Sequence, residues 1–261
     1  MISAFRAEYD GRIYWTVIAF LVTAAWLSLI LLGTSPYAGY LNHRQLSEGR
    51  LPFGLLLAIF VPAWTLMTVA MMLPTSLPLV TLFRTMVRRR PQATALVALL
   101  ITAYLGTWAL FGGVVYLLDR VFHEVIEHTP LLAANTVYLA VGTLLLAGIY
   151  QFTPLKDRCL QKCRSPLSFV AEHWHGGSGR LDAVRLGFRH GLFCIGCCWT
   201  LMLLMLAVGG VNLGWMLGLG AVMAAEKSAP WGRRLVTPVG LALIVWAVAL
   251  ALKMVPAPFG T

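Results

Sequence analysis

The densest run of reactive side chains spans residues 190–199, which read His-Gly-Leu-Phe-Cys-Ile-Gly-Cys-Cys-Trp. Spacings of three and four residues place the imidazole and the thiols near one face of a helix. Thiolates favour soft ions such as Cu(I), whereas a four-thiolate site suits zinc or an iron–sulfur cluster. The run therefore predicts a metal or redox site whose central ligands are Cys194, Cys197 and Cys198, with His190 as a supporting ligand.

A second pair of thiols, Cys159 and Cys163, lies one helical turn apart in the longest loop, residues 153–183. Thr153 followed by Pro154 is typical of an N-cap and a first helical position, so we expect a short helix over 154–164. We expect this helix to lie on the cytoplasmic membrane surface, with its basic side chains near lipid headgroups. There the two cysteine groups either share one ion or form a relay, in which the loop pair receives the ion. The basic residues are Lys156, Lys162 and Arg164.

Further ligands are expected from two other segments. Met71 and Met72 precede Pro74 in the second apolar run and supply thioethers, although packing is the commoner role of methionine. Glu226 ends the sixth apolar run. Its carboxylate either pairs with Lys227 or an arginine, or faces inward as a ligand or proton site.

The elements that position these residues are apolar helices. The sequence is 59% hydrophobic and 11% charged, far below the roughly 25% charge of a soluble domain. We expect an all-α, polytopic bundle, with residues 1–261 forming one transmembrane unit of about seven helices. Prolines should kink or break the second helix. The predicted helices span residues 13–33, 54–83, 93–118, 131–152, 184–208, 212–226 and 235–255.

The positive charges are distributed unevenly along this arrangement. Sixteen of the twenty Lys and Arg residues fall on the side that holds the N-terminus. The positive-inside rule therefore predicts a cytoplasmic N-terminus and a periplasmic C-terminus in a bacterial inner membrane. The net charge of +10 is explained by anionic headgroups, and we expect no nucleic-acid partner. Five cysteines in two tight groups argue against a disulfide framework.

At these residues the sequence resembles a bacterial group of predicted metal-binding integral membrane proteins, domain-of-unknown-function family 2182. The similarity covers most of the chain, and the Cys-Cys-Trp cluster is its most specific part. It implies a polytopic bacterial protein with a metal site. It rests on Met71 to Pro74, on Gln151, Cys159, Leu160, Cys163, Arg164 and Pro166, on His190-Gly191 with Cys194, Cys197, Cys198 and Trp199, and on Met223 with Glu226-Lys227.

Three functions fit the sequence. The first is a metal-binding membrane protein for handling, delivery or transport of an ion, with copper favoured over zinc or iron and with a larger membrane complex or a metal chaperone as partner. The second is a non-catalytic subunit or assembly factor whose cysteines only pack. The third is a membrane thiol–disulfide oxidoreductase, since clustered thiols beside basic residues become nucleophilic. No phosphate loop or nucleophile elbow is present, so a conventional enzyme is not expected.

Overall fold

The computed structural model describes residues 2–34, 52–128, 136–174, 179–207 and 212–252, and within these ranges all regular structure is helical. The helices are α1 (Ile2–Thr34), α2 (Phe53–Met71), α3 (Leu73–Val87), α4 (Ala93–Glu127), α5 (Thr136–Tyr150), α6 (Pro154–Arg164), α7 (Pro166–His173), α8 (Arg180–Ala207), α9 (Leu213–Ser228) and α10 (Gly232–Ala251). The prediction of an all-α protein is confirmed for these residues. Residues 131–135 of the fourth predicted helix, residue 208 of the fifth and 253–255 of the last lie outside the described ranges.

Five of these helices are long and apolar enough to cross a membrane, and a sixth crossing results if α5 and α6 form one bent span. The bend between those two helices is 63°. Helix α9 has 16 residues, fewer than the roughly 20 that a crossing usually needs. The expected number of seven crossings is therefore not confirmed. The five helices contain spans Tyr14–Thr34, Phe53–Met71, Ala93–Phe122, Arg180–Leu206 and Gly232–Ala251.

The second predicted helix is broken, as its prolines predict, and the break falls at Met72 between α2 and α3. Pro74 has no N–H to continue the helical ladder. The hydroxyls of Thr75 and Ser76 donate instead to the Met72 carbonyl, at 2.8 and 3.2 Å. The break leaves the Met72 side chain fully buried at the joint of the two helices.

The 154–164 helix forms as predicted, because the Thr153 hydroxyl accepts a hydrogen bond from the Lys156 amide at 3.3 Å. The next segment is also helical, which the sequence analysis did not anticipate. That helix, α7, packs Phe169 and Val170 into a buried cluster with α3, α4 and α8. On its outer side, a hydrogen bond from Lys162 lowers the pKa of the exposed Glu172 carboxyl.

Helix α8 lies at the centre of the bundle because small residues let its neighbours approach. A Cβ on Gly187 would lie 2.2 Å from the Leu100 carbonyl oxygen of α4, and one on Gly191 would lie 2.7 Å from the Thr107 side chain. Only glycine is compatible with this spacing. Helix α4 therefore lies directly against the part of α8 that carries the thiols.

Candidate metal centre

The buried face of α8 carries three thiols that the sequence singled out. Cys194, Cys197 and Cys198 are each about 1% exposed. The Cys197 and Cys198 thiols donate to the Cys194 carbonyl, at 3.1 and 2.8 Å. These bonds fix both side chains toward the same turn of the helix.

Helix α6 brings the loop cysteines to this face. The sulfur atoms of Cys163 and Cys197 are 3.9 Å apart. Cys159 packs on Gly196, where an added Cβ would lie 2.6 Å from its sulfur. Tyr150, just before α6, donates through its hydroxyl to the Gly196 carbonyl at 2.5 Å. The two cysteine groups, 31 residues apart at their nearest members in the sequence, therefore meet in the structure.

Met72 reaches the same place from the break between α2 and α3. Its thioether sulfur lies 3.7 Å from the Cys198 sulfur. Met71 points elsewhere: its methyl group fills the space over Gly220 of α9, 2.8 Å from where a Cβ would lie. The two adjacent methionines that the sequence proposed as ligands are thus separated by the helix break.

A lysine from α9 completes the cluster, and the sequence analysis did not identify it as part of the site. The Lys227 ammonium lies 3.0 Å from the Cys194 sulfur, 3.3 Å from the Met72 sulfur and 3.8 Å from the Cys198 sulfur. The sequence signal that could have indicated this role is a lysine that directly follows an acidic residue at the end of an apolar helix. We call Cys163, Cys194, Cys197, Cys198, Met72 and Lys227 the sulfur cluster.

Aromatic and imidazole groups surround the sulfur cluster on the α4 side. The Tyr104 hydroxyl lies 3.2 Å from the Cys194 sulfur. His190 stacks on Tyr104 with ring centroids 5.4 Å apart, and its Nε2 pairs with the Ser76 hydroxyl at 3.1 Å. His190 Nδ1 has no hydrogen-bond partner among the residues that the structure describes. The predicted imidazole ligand therefore contacts Tyr104 and Ser76, and Tyr104 in turn contacts the Cys194 sulfur.

Glu226 makes an ion pair that the sequence analysis assigned to other partners. Its Oε2 accepts from the Lys156 ammonium at 2.7 Å, and both side chains are at most 2% exposed. Arg164 donates to the backbone carbonyls of Glu226 and Ala229, the latter at 2.8 Å. The expectation that Lys156 faces headgroups is wrong, because its ammonium is buried against the Glu226 carboxylate. We call Lys156, Glu226 and Arg164 the ion-pair latch.

The donors of the sulfur cluster fit a soft ion. All five cysteines lie in the described part of the chain, and none of them forms a disulfide. Two sulfurs bonded to one ion at roughly 2.3 Å each lie at most about 4.6 Å apart. The Cys163–Cys197 and Cys198–Met72 separations of 3.9 and 3.7 Å are within that limit. Within the described ranges, however, no three His, Cys, Asp or Glu side chains are arranged to hold an ion together. The geometry suits coordination by two sulfurs.

Comparisons with known proteins bear on the same region. No curated protein and no solved structure matches the chain. The sequence model of the PpoB2 family, described as copper chaperones, matches residues 61–250. The matched segment contains every residue of the sulfur cluster and of the ion-pair latch. The match supports the prediction that the protein handles a metal, and it favours copper. It gives no support to zinc or iron. The chain therefore belongs to the PpoB2 copper-chaperone family.

Proposed function

We propose that this protein is a membrane-embedded copper chaperone that binds Cu(I) through the sulfur cluster and passes it to a partner protein. The observation that carries the proposal is the convergence of four thiols and one thioether from three parts of the chain. Buried thiolates and thioethers are the ligands that select Cu(I). The copper-chaperone family supports the same ion.

Coordination by two sulfurs suits a protein that must release its ion. A closed site of four ligands holds a metal as a structural element, whereas a site with free positions lets another ligand attack. In the sulfur cluster, Cys163 on α6 and Cys197 on α8 supply one such pair. Cys194 and Met72, whose sulfurs lie 3.0 and 3.3 Å from the same Lys227 ammonium, supply a second pair. We assign Cys159, on the turn before Cys163, to the arrival or departure of the ion. A thiol of the receiving protein then displaces these ligands one at a time.

The other predicted ligands have supporting roles in this proposal. His190 holds Tyr104 by stacking and Ser76 by a hydrogen bond, and so orders the groups around Cys194. Met71 packs α2 against α9. Glu226 anchors α6 to α9 through Lys156.

We also propose that the protein is inserted in a bacterial inner membrane. The candidate spans expose large apolar side chains that water would not solvate well, among them Phe20, Leu31 and Leu110, each about 70% exposed. The charge distribution favours seven crossings with the N-terminus in the cytoplasm. The short α9 would then be the seventh crossing. This placement puts the thiols in a reducing compartment, where they stay available for copper.

Metal analysis of the purified protein tests the copper proposal. The wild type should carry copper after growth in copper-supplemented medium, and Cys194→Ser/Cys197→Ser/Cys198→Ser should lose nearly all of it. The matched control is Met202→Leu/Met205→Leu, which changes two buried sulfur residues of the same helix that lie further along α8. The control should bind copper like the wild type. Equal copper in the wild type and the triple Ser variant would contradict the proposal.

The 3.9 Å separation of the Cys163 and Cys197 sulfurs also favours a second function, thiol–disulfide exchange. Mild oxidation should then form a reversible Cys163–Cys197 disulfide, which differential alkylation and mass spectrometry detect. Thiols that remain free under those conditions would exclude this function and leave copper binding unaffected.

A further inference from the structure

The surroundings of Lys227 differ from those of an ordinary buried lysine. Such a lysine usually pairs with a carboxylate, as Lys156 does. The Lys227 ammonium instead lies among three sulfur atoms, at 3.0, 3.3 and 3.8 Å. Its side chain is 7% exposed. The space between those sulfurs, which a bound ion would occupy, is thus filled by a cationic group of the protein itself.

The Cys194 sulfur is the nearest sulfur to the Lys227 ammonium. The Cys197 and Cys198 sulfurs lie against the Cys194 carbonyl oxygen, at 3.1 and 2.8 Å, where their thiols donate to it. The Cys194 sulfur accepts from the Lys227 ammonium and lies 3.2 Å from the Tyr104 hydroxyl. A cationic donor at this distance favours the charged form of a cysteine over the neutral thiol. The contact between Lys227 and Cys194 is therefore one between a buried cation and the soft acceptor that a copper ion would use.

We infer that Lys227 is a placeholder for the copper ion: Cu(I) binds at Cys194 by displacing the Lys227 ammonium from the sulfur cluster. This inference rests on the proposed function. An ion bonded to these sulfurs at roughly 2.3 Å and an ammonium in the same space would overlap and repel each other. Bonds from copper to the Cys194 and Met72 sulfurs form, and the hydrogen bonds from Lys227 to these sulfurs break. The thiol protons of Cys197 and Cys198 stay in place, and no electron is transferred.

The exchange replaces one monovalent cation by another. The net charge of the buried region is the same before and after, so no uncompensated charge is left in a medium of low dielectric constant. A divalent ion would add one positive charge unless a further thiol lost its proton. Lys227 therefore makes the site selective for Cu(I) over Zn(II). When copper leaves, the returning ammonium again neutralises the Cys194 thiolate.

Lys227 lies near the end of α9, so its side chain can move out of the sulfur cluster toward water. It is the penultimate residue of α9, and the next residue, Ser228, is exposed. A long lysine side chain near a helix end can extend its ammonium to the aqueous boundary while its stem stays buried. Lys156 has no such freedom, because the Glu226 carboxylate holds it.

Lysine labelling of the purified full chain tests the exchange. The protein is reductively methylated in detergent under anaerobic conditions, with and without Cu(I), and Ag(I) serves as a redox-inert monovalent probe. Copper or silver loading should raise the methylation rate of Lys227 by about tenfold or more, because the protected state is lost. Two lysines are internal controls: Lys156 should stay protected in both states, and Lys162, 36% exposed, should react in both. Mass spectrometry of the peptides gives all three rates.

The outcomes separate this inference from the proposed function. A protein that binds neither Cu(I) nor Ag(I) overturns the proposed function. A protein that binds them while Lys227 stays protected overturns the exchange alone. In Cys194→Ser, Lys227 should be methylated readily even without metal, because its thiolate partner is gone. A protected Lys227 in that variant would show that Cys194 does not hold the ammonium, and would overturn the inference.

Discussion

Two buried regions meet at the end of α9, and they use adjacent residues of that helix in opposite ways. In the ion-pair latch, Glu226 meets Lys156 at 2.7 Å, a pair of hard groups with complementary charge. In the sulfur cluster, Lys227 meets two cysteine sulfurs and a thioether at 3.0 to 3.8 Å. The first region has a carboxylate to balance its lysine, whereas the second has soft atoms that bind copper better than an ammonium. The comparison indicates that the ion pair between Lys156 and Glu226 is permanent, whereas copper can replace Lys227 in the sulfur cluster.

Breaking the ion-pair latch should have the largest effect on stability. Glu226→Gln leaves the Lys156 ammonium buried without a counter-charge, which typically destabilises a protein by about 3–5 kcal/mol. Thermal unfolding in detergent should show a strongly lowered midpoint. Glu172→Gln, at the exposed pair with Lys162, is the matched control and should unfold like the wild type.

The same experiment separates the two regions. Lys156→Met/Glu226→Met removes both charges of the pair and should recover much of the lost stability. The triple Ser variant of the sulfur cluster should lose copper with a much smaller change in unfolding of the metal-free protein. A Glu226→Gln variant as stable as the wild type would show that the ion-pair latch does not stabilise the packing of α6 against α9.

The contact between α6 and α8 should be the next most sensitive. Gly196→Ala places a Cβ about 2.6 Å from the Cys159 sulfur, so the Cys159 side chain must turn away, and α6 moves with it where no free rotamer is available. Overpacking of this kind typically destabilises by about 1–3 kcal/mol. The movement also separates Cys163 from Cys197, so copper affinity should fall. Competition with a Cu(I) chelator measures that affinity.

Gly106→Ala on α4 is the control for that substitution, because no described residue beyond the surrounding helix backbone has an atom within 4 Å of the added carbon. It should leave copper binding unchanged and should stabilise the helix by up to about 1 kcal/mol. If both alanine variants bind copper equally, the close approach at Gly196 does not position the ligands.

The two adjacent methionines provide the smallest expected effect. Met72→Leu keeps the volume but removes the thioether next to Cys198, so copper affinity should fall by about fivefold, equivalent to roughly 1 kcal/mol. Met71→Leu should leave the affinity unchanged, because Met71 only packs against Gly220. Chelator competition again measures both. Equal affinities would remove Met72 from the ligand set.

Much of the local structure followed from the sequence because its causes are local. The Thr153 cap and Pro154 define the start of α6, as the sequence predicts. The cysteine spacing in α8 likewise predicts that the thiols share a face. These features depend on residues within one or two helical turns of each other.

The parts that sequence analysis missed depend on contacts between distant segments. The prolines predict the break, but they do not show which methionine it turns toward the thiols: the Met72 sulfur lies 3.7 Å from Cys198, whereas Met71 packs over Gly220. The partner of Glu226 lies 70 residues away in α6, so neither its identity nor the burial of Lys156 could be read from local pattern. The same is true of Lys227, whose sulfur partners lie on α8 and at the α2–α3 break.

X-ray absorption spectroscopy of the copper-loaded protein tests the central claim most directly, because it reports the atoms bonded to the ion. The account predicts a Cu(I) edge and a first shell of sulfur only, at roughly 2.3 Å or slightly less. A first shell of nitrogen or oxygen without sulfur would show that copper binds elsewhere in the molecule, and would contradict the claim that the sulfur cluster is the copper site.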